Sequence, residues 1–172
     1  MVLLAVPGCI IPPELPKDPN DPVPPYFESV QPVQRVVTIT GGTTAESFEA
    51  TIYDKNPHER MYYALVNSQR GTTALGSVAD IEFDEDEDAT LYTIGPEDNS
   101  GLEFPKEELC AGAPEGGVET FTLWVADREI ASASASDPEP PKLVPFVGDK
   151  DRPGPFLISR SWVFEYETDA CN

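Results

Sequence analysis

From residue 33 onward, apolar and polar side chains alternate with a period of two in one segment after another, and no long stretch keeps a helical period. Residues 47–53 are the clearest case. Phe48, Ala50 and Ile52 fall on one side, with Ser47, Glu49 and Thr51 on the other, the signature of a half-buried strand. Residues 33–40 precede them, rich in β-branched side chains and closed by Gly41-Gly42, so the two segments read as strand, turn and strand. Residues 60–67 are apolar on both faces, with Met61, Tyr63 and Leu65 opposed to Tyr62, Ala64 and Val66, which suits a central strand. Weaker strands are expected at 77–83 and 90–94. At 118–126, Phe121, Leu123 and Val125 oppose Thr120, Thr122 and Trp124, and 156–167 puts Trp162, Phe164 and Tyr166 on one face. About seven strands separated by turn residues predict an all-β protein built as an antiparallel sandwich.

Ahead of this body the pattern breaks down. Nine of the 19 prolines lie in the first 32 residues, and the segment 10–32, IIPPELPKDPNDPVPPYFESVQP, holds proline too often for a helix or a central strand. An extended Pro-rich arm is expected there. In polyproline II geometry the stretch from Ile10 to Tyr26 would span roughly 50 Å at about 3.1 Å per residue. The alternative is an arm packed along the domain as an edge, beginning with Tyr26, Phe27 and Val30. The 172 residues suit one domain, taken as 33–172, with 10–32 as the tether and 1–9 as a separate leader.

Charge narrows the range of partners. With 11 Lys and Arg against 31 Asp and Glu, the formal charge is -20, so phosphate backbones and anionic headgroups are repelled, and no nucleic-acid partner is expected. A solvated acidic surface is the plain reading, and recognition of a cation or a basic partner is the other.

The first nine residues read Met1-Val2-Leu3-Leu4-Ala5-Val6-Pro7-Gly8-Cys9, an apolar run ending in a small residue and a cysteine. This resembles the lipobox of bacterial lipoproteins, in which an aliphatic residue stands three places before the cysteine and a small one just before it. The resemblance implies cleavage ahead of Cys9, acylation of Cys9, export, and anchoring of the chain by lipid to the outer membrane. No segment has the roughly 20 apolar residues needed to span a bilayer, so lipid would carry the attachment. With Cys9 assigned to lipid on that resemblance, Cys110 and Cys171 are left as a disulfide pair, which an oxidising compartment favours. Over about Pro32 to Cys171, the strand count and pattern resemble the immunoglobulin-like domains of bacterial surface lipoproteins. The Cys…Trp…Cys arrangement of antibody domains is absent, because Trp124 and Trp162, although between Cys110 and Cys171, lie on the last two strands.

Several features carry candidate chemistry. The run Asp84-Glu85-Asp86-Glu87-Asp88 could offer carboxylates to calcium through Asp84, Asp86 and Asp88, with Asp149 and Asp151 added if the fold brings their loop near. A solvated turn between two strands is the simpler reading, and no metal or cofactor is expected. Residues 127–155 join the last two strong strands by a connection far longer than a hairpin loop. Within it, Leu143, Val144, Phe146 and Val147 form an apolar island that either packs back on the domain or presents a contact patch to a partner. His58, the single histidine, sits in a polar turn without a nucleophile motif, and no G-x-S-x-G or HExxH pattern occurs. No enzymatic activity is expected. These readings together describe a lipid-anchored envelope protein presenting a non-catalytic module to another envelope protein or a glycan, or else a structural subunit of an envelope assembly.

Overall fold

A computed structural model describes residues 24–55, 60–79, 82–84, 89–97, 99–111, 113, 117–133, 140–144 and 156–171. In chain order its strands are β1 (Tyr26–Gln31), β2 (Val36–Ile39), β3 (Ala45–Ser47), β4 (Glu49–Asp54), β5 (Arg60–Asn67), β6 (Gly71–Ala79), β7 (Glu82–Asp84) and β8 (Ala89–Ile94). A 3-10 turn (Ser100–Leu102) then leads through β9 (Glu103–Pro105) to one short helix, α1 (Lys106–Cys110). After it come β10 (Val118–Ala126), β11 (Ile130–Ser132), β12 (Lys142–Leu143) and β13 (Leu157–Tyr166).

Nine of these strands make two sheets, one in the order β1-β4-β8-β7 and the other β2-β13-β10-β5-β6. All neighbours are antiparallel except β2, which runs parallel to β13 with Val36 opposite Val163 and Ile39 opposite Tyr166. Two small pairs, β3 with β9 and β11 with β12, sit outside the main sheets.

Alternation decides which side chains face inward. Phe48 beside β4, with Ala50 and Ile52 in it and Tyr92 and Ile94 from β8, meet Met61, Tyr63 and Leu65 of β5, Phe121, Leu123 and Val125 of β10, and Trp162, Phe164 and Tyr166 of β13 in one buried core. The two sheets are therefore the layers of a β-sandwich. Phe48 lies at its aromatic centre, with ring centroids 5.0 to 5.7 Å from Phe104, Phe121, Trp162 and Phe164. Close packing also explains one glycine: a Cβ on Gly76 would stand 2.6 Å from the Tyr63 hydroxyl, so β6 must lack a side chain there for Tyr63 to lie beneath it.

The expected all-β class with mostly antiparallel sheets is what the structure has. The expected strands at 60–67 and 118–126 are β5 and β10. As expected, β5 is covered on both faces, since Ala64 and Val66 belong to a second apolar cluster on the outer side. Other details differ. Residues 36–39 and 49–54 do not pair across the Gly41-Gly42 turn but enter opposite sheets. The segment expected as one strand at 77–83 is divided between the end of β6 and β7. Within the stretch read as a Pro-rich arm, Tyr26–Gln31 form edge strand β1, with Phe27 opposite Ile52 and Val30 opposite Ala50. Phe27 and Val30 pack against the core, as the edge alternative has it.

Candidate functional site

One end of the sandwich is closed by a buried polar network. Glu119 lies in β10 in phase with Phe121, Leu123 and Val125, so the strand carries its carboxylate to the inner face, where the residue is 1% exposed. Its oxygens accept from every side. Arg70 donates from Nε at 3.3 Å and from Nη2 at 3.1 and 3.2 Å, Asn67 from Nδ2 at 3.0 Å, and the Tyr166 hydroxyl at 3.1 Å. Arg70 also donates to the carbonyls of Glu108 and Leu109 at the end of α1, and Tyr166 lies 3.2 Å from the same Leu109 oxygen. Asn67 holds the β5–β6 turn by accepting from the backbone of Gln69 and Arg70, and Gly71 completes that turn at φ 90°, a conformation that favours glycine.

Burial, then the Glu119 charge and its hydrogen bond, push the Tyr166 phenol well above its ordinary pKa, with Arg70 opposing in part. Cys110 and Cys171 are joined beside this network, with Cα atoms 5.4 Å apart, which ties α1 to the C-terminal segment as expected. Every polar group of the network faces a partner, so its chemistry is cohesion. The one sequence sign of it was an acidic residue in phase with the apolar face of β10.

The opposite end carries the long connections. Asp54 stands opposite Thr90, Asp84 opposite Ala89, Ala126 opposite Tyr62 and Leu157, and Arg60 opposite Ala79. The acidic run thus falls between two paired strands, β7 and β8. Asp86, Asp88, Asp149, Asp151 and His58 lie outside the described residues, as do Cys9, Phe146 and Val147. Among the described residues no group of three His, Cys, Asp or Glu is placed to hold a metal ion. Of the apolar island, Leu143 in β12 is half-buried against the outer cluster of Ala64, Val66, Ala126 and Ile130, and Val144 beside it is exposed. The β11–β12 pair therefore folds the long connection back over the outer face of the five-stranded sheet.

Where the chain enters β11 over that face, a cavity of about 230 Å³ opens on it, lined by Tyr62, Leu75, Gly76, Ser77, Glu129 and Ile130. Outward-facing positions of β5 and β6 supply Tyr62, Leu75 and Ser77, and the chain entering β11 supplies Glu129 and Ile130. Leu75 is 51% exposed, and Arg60 donates from Nη1 to the Ser77 hydroxyl at 3.4 Å. The place combines apolar walls, an aromatic ring, a hydroxyl and a carboxylate. Sequence reading missed it because its two sides are about 50 residues apart in the chain and meet only through the fold-back of the long connection.

Compared with known proteins, the chain matches no family model, and no curated protein matches it significantly. No described helix is long and apolar enough to cross a membrane.

Proposed function

We propose that this chain is an exported lipoprotein, acylated on Cys9 and held at the bacterial outer membrane, whose acidic immunoglobulin-like domain is a non-catalytic module that binds another envelope protein or a glycan. The observation that carries the anchor is the apolar run Val2 to Val6 followed by Pro7, Gly8 and Cys9. The joined Cys110 and Cys171 support it, since a disulfide persists where the compartment oxidises thiols.

Strand order supports the immunoglobulin-like reading. In such domains strands A, B, E and D form one sheet and G, F and C the other, with C′ added beside C in variable-type domains. The order β1-β4-β8-β7 fits A-B-E-D, and β13-β10-β5-β6 fits G-F-C-C′. The first strand is divided, its second part β2 crossing over to run beside β13.

Metabolic labelling with an alkyne fatty acid in a bacterial host, followed by intact-mass measurement, tests the anchor. Label on the wild type and none on Cys9→Ser, with the wild type alone in the membrane fraction, is the expected result. An unlabelled Cys9 thiol in the native chain would overturn the reading.

A further inference from the structure

We propose that the cavity between β5, β6 and β11 is a subsite for one neutral pyranose ring of a glycan, which deepens the binding-module reading above and rests on it. Its size comes first. At about 230 Å³ it is smaller than the roughly 300 Å³ at which pockets for drug-sized molecules begin, so it takes a single ring. Its open mouth leaves the neighbouring sugars of a chain in solvent.

The lining then selects the ring's chemistry. A pyranose has apolar C–H faces and hydroxyl edges. Leu75 and the Tyr62 ring, over the buried Ile130, offer apolar surface to the first, and Ser77 and Glu129 address the second. Because Arg60 donates to the Ser77 oxygen, the Ser77 proton is left to donate onward, and the Glu129 carboxylate accepts. Ser77 as a donor and Glu129 as an acceptor line the same slot, which is the pairing a sugar's hydroxyl edge requires.

Charge removes the competitors. The molecule's formal charge of -20 opposes uronic acids, sialic acids and phosphates. Arg60, hydrogen-bonded to Ser77, sets a positive charge beside the slot that works against a lysine or arginine side chain. A neutral polyhydroxy ligand is what remains.

The test is a titration of the isotope-labelled full chain, followed by amide chemical shifts, with methyl β-glucoside, methyl β-galactoside, N-acetylglucosamine and their β-linked oligomers as probes. At least one probe is expected to shift the amides of Tyr62, Leu75, Gly76, Ser77, Glu129 and Ile130 with a dissociation constant of about 1 to 10 mM, a range normal for single-ring ligands. Ser77→Ala and Glu129→Gln should each weaken that probe about tenfold, which corresponds to one lost hydrogen bond, while amides elsewhere keep their positions and so certify the fold. No shift in these amides with any sugar at about 50 mM, or shifts that both variants leave unchanged, would overturn the assignment. A lysine- or arginine-containing tripeptide that moves the same amides when the sugars do not would also overturn it while leaving a protein-binding module in place. The acylation experiment on Cys9 is read separately, so failure of the anchor and failure of the sugar site are told apart.

Discussion

Removing the Arg70 guanidinium would leave the Glu119 carboxylate buried with only Asn67 and Tyr166 to satisfy it. An uncompensated buried charge of this kind costs about 3 to 5 kcal/mol. Arg70→Ala is therefore expected to lower the unfolding free energy by that amount in urea titration, far more than removal of an exposed arginine such as Arg60. At the aromatic centre, Phe48→Ala should cost a similar 3 to 5 kcal/mol, because four neighbouring rings would line the space it vacates and could close it only in part. Tyr166 gives the network a pH dependence with a defined sign. Burial and Glu119 raise its folded-state pKa, whereas the unfolded phenol ionises near pH 10. The folded state thus holds its proton above the pH at which the unfolded state releases it, so the contribution is complete below about pH 10 and is lost as pH rises beyond it. Denaturant titrations from about pH 8 to 11 should show the wild type losing stability more steeply than Tyr166→Phe above the unfolded phenol pKa. Parallel slopes for the two proteins would contradict this.

The disulfide acts on the element that most needs a tie. A helix as short as α1 is marginal by itself, and it is held by Arg70, by Tyr166 and by the covalent link from Cys110 to Cys171 across a separation of 61 residues. Chain-entropy reasoning puts the contribution of closing such a loop at about 4 kcal/mol. Replacing both cysteines by alanine should lower the denaturation midpoint accordingly. Hydrogen exchange should show α1 and residues 167–171 losing protection before β5 and β10. Strands with clean alternation were legible in the sequence at β5 and β10, because a side chain's face is a local property of the pleat. Partnership is not local. Nothing near Val36 to Ile39 announces a parallel neighbour 127 residues on, and β1, set between prolines that a sheet edge tolerates, was legible only as the edge alternative. The network was half visible, in Glu119 on an apolar face, while its counterion lay 49 residues away in a tight turn. The cavity was not visible at all, since it forms only when β11 and β12 return across β5 and β6.

At the scale of the molecule, 31 acidic side chains against 11 basic ones leave a formal surplus of 20 negative charges. The Arg70–Glu119 ion pair is shielded from solvent on its carboxylate side, whereas the contact of Arg128 with Asp127 is long at 3.9 Å. Surface electrostatics are therefore dominated by like-charge repulsion, which works against the compact state more than against the unfolded chain, where the same charges spread apart. That repulsion also opposes association of identical copies. Light scattering should accordingly find a monomer, as an accessory module requires and a filament subunit does not. Salt screens exposed charges over about 10 Å at 0.1 M and about 3 Å at 1 M, while the buried pair is screened far less. Raising sodium chloride from about 0.01 to 0.5 M should thus relieve repulsion without weakening the network, and the melting temperature should rise by several degrees. In Arg70→Ala the same rise should persist from a lower starting point, because the residue it removes belongs to the buried pair and not to the surface field. A wild-type melting temperature that falls as chloride is added would mean that exposed attractive pairs, not surplus acid, govern the stability of the domain.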